Sequence, residues 1–328
     1  MRHSTSLSIA VVAAMLGISS FSAAQYGPAP GYGPPAPGYG PPALGYGPPA
    51  PGYGYGPPPG YGAPPPPPSF LPEAMQSRVA LQLDWFNSSP SGAGTVNVLT
   101  WDLIAQIGLT ENIFLDADLP WSYTGVDGVR LSQSLFNVSK AVFGHPFVGA
   151  HLAARLSPTS AFFFGLGFGI PVQGTLSEGG YLAASIAGSI RGYQELHRFV
   201  PNQFPLRFRG GIEITAKPFY LQADLAPSFL ISIDSLQSTV VTLDQGTNAG
   251  VRTGFGLLAG LRIQESFFLT TADDRVQTAL EPFVGYESPA KSGLTARYGL
   301  LMPLDGVEGF AFDKGKLLTH RFSVGAKF

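Results

Sequence analysis

Leu318-Thr319-His320-Arg321-Phe322-Ser323-Val324-Gly325-Ala326-Lys327-Phe328 alternates at every step. Successive side chains of an extended strand point to opposite sides. Leu318, His320, Phe322, Val324, Ala326 and Phe328 therefore share one face, and Thr319, Arg321, Ser323, Gly325 and Lys327 the other. Chain ends normally fray into water, yet this one is apolar to its last residue. One greasy face, one polar face and a terminal aromatic carboxylate fit a barrel wall in lipid better than a soluble sheet edge.

Working back from this strand, the same period recurs. Val79, Leu81, Leu83 and Trp85 alternate with Arg78, Ala80, Gln82 and Asp84. Leu99, Trp101, Leu103, Ala105 and Ile107 form the next apolar face, and Ile113, Leu115, Ala117, Leu119 and Trp121 the third, across a tight turn at 109–112. Further hairpins are expected at 151–170 around 157–160, at 206–225 around 216–218, at 251–272 around 264–266 and at 278–302 around 288–293. Longer connections are expected at 124–144, 173–204, 232–248 and 305–315. About ten residues of alternation bounded by turns is the weak signal of a transmembrane strand. The assignment gives twelve strands with five short turns on one side and the long connections on the other. In lipid every backbone donor and acceptor must be paired internally, so such a sheet has to close.

Composition agrees. Charged residues make up 12% against roughly 25% in ordinary domains. No run of about 18 apolar residues follows the first segment, so no transmembrane helix is expected. A net charge of −2 with no basic run excludes a nucleic-acid surface. The absence of cysteine rules out disulfides, thiolate metal sites and an N-terminal lipidated cysteine. Trp85, Trp101 and Trp121 all fall on the apolar face toward the loop side, where an aromatic girdle belongs. Pro120, Pro171, Pro227 and Pro303 are expected near the loop-side ends of strands, where few ladder bonds are lost.

Three regions follow. Met1-Arg2-His3, the apolar stretch Leu7–Ile18 and Ser22-Ala23-Ala24 predict a signal peptide, 1–24, cleaved after Ala24. Residues 25–76 are rich in Pro, Gly and Tyr, with Tyr32, Tyr39, Tyr46 and Tyr53 seven residues apart. Such a segment has no means of building a core and is expected to be disordered, a spacer or a ligand for cell-wall polymer. Residues 77–328 are the expected barrel, and the fold class is all-β, a transmembrane antiparallel up-and-down barrel of about twelve strands.

The secretory start, the short-turn hairpins and the ending Leu318-x-His320-x-Phe322-x-Val324-x-Ala326-x-Phe328 resemble those of Gram-negative outer-membrane β-barrel proteins of porin-like type. The resemblance implies an outer-membrane location, both chain ends in the periplasm, and outer-membrane lipid and the barrel-assembly machinery as partners. It implies no particular activity.

If the apolar face meets lipid, the opposite face lines the lumen. It carries Arg78, Asp84, Asp102, Asp116, Asp118, Arg155, Arg207, Arg209, Glu213, Asp224, Arg252, Arg262, Glu281, Arg297, Arg321 and Lys327. These residues line a polar, weakly selective pore or make an ion-pair network that closes the barrel. Twelve strands about 4.8 Å apart and tilted about 40° give a backbone diameter of roughly 24 Å, leaving a passage on the order of 10 Å unless something plugs it. The candidate plug is 173–204, where Leu182, Ile186, Ile190 and Tyr193 are spaced as on a helix, although Leu182, Ala184 and Ile186 also allow a strand. His145, His151, His197 and His320 have no metal-ligand spacing, and no nucleophile motif is present. The sequence therefore predicts no cofactor and no enzyme, but a channel for passive passage of small solutes. The alternative is a closed structural or adhesive barrel whose Pro/Tyr-rich tail binds a partner.

Overall fold

The computed structural model describes residues 72–88, 94–131, 134–172, 178–233, 238–270, 276–304 and 318–328. It contains strands β1 (Arg78–Ser88), β2 (Thr95–Gly108), β3 (Ile113–Leu131), β4 (Ser134–Phe143), β5 (Phe147–Ser157), β6 (Ser160–Gly169) and β7 (Gln203–Ala216). These are followed by β8 (Phe219–Ser232), β9 (Val240–Arg252), β10 (Leu257–Phe268), β11 (Val276–Glu287), β12 (Gly293–Pro303) and β13 (Thr319–Lys327). A helix, α1 (Glu178–Ile190), and two 3-10 turns, Glu73–Met75 and Tyr193–Arg198, complete the ordered elements.

Twelve strands make a closed antiparallel barrel. β1 closes it, with Arg78 opposite Gln106 of β2 on one side and Lys327 of β13 on the other. β4 is additional. Ile113–Asp118 of β3 pairs with β5, whereas Trp121–Leu131 pairs with β4. The second half of β3 and β4 thus form a hairpin that continues the wall on the loop side.

The apolar face is outward along most of the wall. Val79, Leu81, Trp85, Leu103, Ile107, Phe162, Phe164, Leu166, Phe322 and Val324 are exposed, while Asp84, Thr100, Asp102, Glu281 and Arg321 are buried inside. Trp101 and Trp121 face each other across β2 and β3 with ring centroids 5.4 Å apart, and Trp85 stacks on His320 at 5.2 Å. These rings lie together on the outer surface toward the loop side.

Four expectations need correction. The connection expected at 124–144 is strand over 124–131 and 134–143: polar and small residues at Ser122, Thr124, Gly125, Asp127 and Gly128 hide its alternation. The hairpin expected at 251–272 turns at Thr253–Gly256 instead, and 264–266 lies within β10. Part of the connection expected at 232–248 is β9, whose Gln245 and Thr247 place polar side chains on a face that is apolar elsewhere. Gly256 makes the true turn possible: its φ is +103°, and a Cβ there would meet Glu287 O at 2.3 Å. Pro120 and Pro227 are strand-interior. Pro120 falls where β3 changes partner from β5 to β4, and Pro227 where the β7–β8 ladder skips from Arg207–Ser228 to Gly210–Leu225. A missing N–H is tolerated at such breaks.

Residues 72–76, expected within the disordered segment, are ordered and enter the turn-side end of the lumen. Within 173–204 the helical reading is right for 178–190. The expected signal peptide, the tail at 26–68 and the connection at 305–315 lie outside the described residues.

Candidate functional site

The lumen holds two inserts. α1 packs near the loop-side mouth against β2, β3 and β4. Its Ala183, Ala184, Ile186, Ala187 and Ile190 join Phe86, Val96, Val98, Val126, Val142 and Phe199 in one buried apolar cluster. The inward face of β1 and β2 thus changes character along its length: polar at Thr100, Asp102 and Gln106, apolar at Val96, Val98 and Phe86. An apolar inward face needs an apolar cover, and α1 supplies it. Thr124 Oγ1 donates to Ala183 O at 3.2 Å, and Thr319 Oγ1 to Ile190 O at 2.8 Å, tying the helix to opposite parts of the wall.

Below α1 the 3-10 turn carries charge into the lumen. Arg191 is fully buried and pairs with Asp84 at 3.3 Å, with Asp102, and with Glu195 at 2.7 Å. Arg198 reaches Asp102 at 3.1 Å, Asp118 at 2.5 Å and Glu195 at 2.8 Å. Arg321 of β13 joins Asp84 at 2.9 Å, Glu195 at 3.4 Å and Glu281 at 3.2 Å. Three guanidiniums and five carboxylates interlock. Each charge is desolvated, so the knot holds only because every partner is present. Burial raises the cost of charge at Glu195, but the surrounding Arg321, Arg198 and Arg191 overcome it and hold its carboxyl well below the usual range. His197, on the same turn, is pushed well below its ordinary value by burial first and then by Arg207 and Arg198, so it is neutral.

The second insert is the turn Glu73–Met75. Glu213 accepts the backbone N–H of Glu73 at 2.7 Å and of Ala74 at 2.8 Å. Gln106 Nε2 donates to Glu73 O at 3.0 Å and Gln76 O at 2.8 Å. His151 links Ala74 O at 2.9 Å with Asp116 at 2.6 Å, and Arg78 pairs with Glu73. Ala74 and Met75 rest on Phe114, Ala153 and Phe163.

Between the inserts is a chamber of about 340 Å³, lined by charges of both signs. Arg209 pairs with Asp224 at 3.2 Å and lies over the Phe163 ring; Arg297 lies over Phe283. Glu281 alone receives Arg262 at 3.8 Å, Arg297 at 3.2 Å and Arg321. Arg207 approaches Asp244 at 3.5 Å and His197 at 3.3 Å. Among the described residues no group of three His, Asp or Glu is placed to hold a metal ion.

Of the lumen residues read from sequence, Asp84, Asp102, Asp118, Arg321 and Glu281 enter the knot, and Arg78, Asp116 and Glu213 hold the turn-side insert. Arg207, Arg209, Asp224, Arg262 and Arg297 line the chamber. Arg252 and Lys327 meet Glu287 near the turn side at 2.7 and 3.0 Å, and Arg155 is exposed at the turn-side rim. Strand alternation gives no sign of Arg191, Glu195, His197 and Arg198, which sit in a connection, or of Asp244, whose strand β9 carries outward polar residues. A signal existed: Arg191, Glu195 and Arg198 are spaced four and three apart, on one side of a helical turn, in a chain otherwise poor in charge.

The fold is shared with an outer-membrane channel from Pseudomonas putida F1, at a TM-score of 0.51 and 11% identity over 80% of this chain and 98% of that one. The translocator domain of the autotransporter NalP from Neisseria meningitidis aligns at a TM-score of 0.40 and 12% identity, covering 77% of this chain and 87% of its own. OmpF of Salmonella typhi aligns at 0.35 and 9%, covering 79% and 99%. No family model and no curated protein sequence matches the chain. By fold this is a twelve-stranded β-barrel of the outer-membrane type.

Proposed function

We propose that this barrel is an outer-membrane channel of narrow bore for small polar solutes, reached through a signal peptide at 1–24, with its mouth reduced by the segment 178–200. The observation that carries this reading is the chamber of about 340 Å³ inside the wall, walled by guanidiniums and carboxylates rather than packed with apolar side chains. A barrel built only as a scaffold gains nothing from a polar void at its centre, since buried charge is costly unless it is paired or solvated. The barrel from Pseudomonas putida F1 that shares this fold is an outer-membrane channel, which favours the same role here. Nothing in this role calls for catalysis.

The test is conductance of the purified barrel in a planar bilayer. Steady currents of small amplitude are expected, rising severalfold when 178–198 is replaced by a short Gly/Ser linker. Silence from both proteins, each shown to be folded, would refute the channel. The second reading, a closed barrel, is favoured by the complete burial of Asp84, Asp102 and Arg191. It predicts silence from the native protein and current only from the linker variant.

A further inference from the structure

We propose that the chamber between the two inserts is a binding site for a small organic carboxylate. The inference deepens the channel reading and rests on it, but the binding can be measured without any current. Its basis is an imbalance in hydrogen-bonding capacity. Four arginines of the chamber, Arg78, Arg198, Arg207 and Arg297, have a buried Nε without a hydrogen bond among the described residues. Arg198 Nε has its ion pair with Asp118 and Arg78 serves Glu73 of the turn-side insert, which leaves Arg207 Nε and Arg297 Nε. Buried donors are nearly always satisfied in native proteins, so two unmet ones in a single chamber require a reason.

The arginines are also short of anions. Arg262 and Arg297 share Glu281, which already serves Arg321. Arg207 has Asp244 at 3.5 Å, a carboxylate that also accepts from Ser228 at 3.2 Å and Ser266 at 2.8 Å. Arg209 uses Nε on Asp224, and its side chain remains nearly half exposed. The carboxylates of the chamber are better served. Asp116 has His151, Glu195 has three arginines, and Asp118 has Arg198 on one oxygen while its buried Oδ1 makes no hydrogen bond.

Geometry selects a carboxylate. Arg297 and Arg209 lie against the rings of Phe283 and Phe163. A planar guanidinium fixed in this way offers two parallel N–H groups, which match a carboxylate bidentately. The site already accepts that group, since Glu281 in its lining takes Arg262, Arg297 and Arg321. A ligand carboxylate competes for the same forks and satisfies the N–H groups they leave.

Titration calorimetry on the folded full-length barrel in detergent tests this with four-carbon probes of matched length: succinate, 1,4-butanediol and 1,4-diaminobutane, with inorganic phosphate alongside. Succinate is expected to bind, and the diol and diamine at least tenfold more weakly. The double variant R207K/R297K keeps both charges but loses both Nε donors, and should weaken succinate at least tenfold. The double variant's fold is checked by its heat-modifiable migration on gels. Diamine binding as tight as succinate, or unchanged affinity in the folded variant, would overturn the site. Phosphate matching succinate would overturn its assignment to carboxylates. Should the variant not fold, the native ligand series decides. Succinate binding to an electrically silent barrel would refute the channel and leave the site in place.

Discussion

The two ends of the lumen are closed by different physics. At the loop side, a thirteen-residue helix lies on an apolar cluster and is locked below by a set of ion pairs centred on the fully buried Arg191, Asp84 and Asp102. At the turn side, a three-residue turn is held mainly by four hydrogen bonds, two accepted by Glu213 and two donated by Gln106, and by a small apolar contact. The first closure is continuous with the core and fails only if the core is damaged. The second rests on polar contacts that water can replace, each with a net value of about 1 kcal/mol. The loop-side insert is therefore a fixed part of the barrel, and the turn-side insert is the one that can leave.

The sharpest way to break that contrast is at Arg191. Arg191→Met leaves Asp84 and Asp102 buried with fewer partners, which should cost about 3–5 kcal/mol. The wall should survive, but residues 178–198 should become sensitive to protease and conductance should rise severalfold. An unchanged digestion pattern would mean that the apolar cluster alone holds α1.

A wall substitution gives the next largest effect and calibrates the rest. Leu103→Arg places a charge on the lipid face of β2, costing about 2–4 kcal/mol at mid-membrane. It should lower the yield of folded barrel, read as the heat-modifiable gel band. Gln106→Arg, three residues along the same strand but facing the lumen, should assemble normally. Equal yields would contradict the inside–outside assignment.

At the turn side, Gln106→Ala removes two hydrogen bonds to the insert, about 2 kcal/mol. Folding should be unaffected, but a cysteine introduced at position 75 should label faster with a water-soluble reagent than in the parent E73–M75 background carrying the same cysteine. No acceleration would place the two closures in one class.

The smallest effect is with pH. His197 is neutral in the docked turn, while the released turn should titrate near the ordinary value of 6.5. Because the docked form resists the proton, docking is fully favourable above that value and weakens as pH falls below it, by about 1 kcal/mol at pH 6. Protease cleavage within 178–198 should quicken from pH 7.5 to 6, and His197→Gln should flatten the part of that change due to this ring. A His197→Gln profile identical to the native one would exclude the imidazole as its cause.

The wall was legible wherever hydrocarbon imposed alternation. β6, β11, β12 and β13 are legible to within about two residues, because lipid outside and polar groups inside enforce a period of two. Legibility failed on the loop side of β3, in β4 and in β9, where polar residues such as Gln245 and Thr247 occupy the outward face. On the loop side of β3 and in β4 nothing apolar outside sorts side chains by face, and in β9 two outward polar residues interrupt the period, so the pattern fades although the backbone ladder continues. The apolar inward residues Phe86, Val96 and Val98 were a readable anomaly, since a polar lumen has no use for them unless something covers them.

Local sequence thus determined which residues meet lipid and which face inward, because that choice repeats at every second position and needs no knowledge of distant partners. Which inward residues find one another was decided only by closure of the barrel. Asp84 of β1, Asp102 of β2, Glu281 of β11 and Arg321 of β13 converge on Arg191 and Arg198 or on each other because the sheet curves back on itself. The energy of a buried charge depends on partners up to 237 residues away in the chain, and no local pattern encodes them.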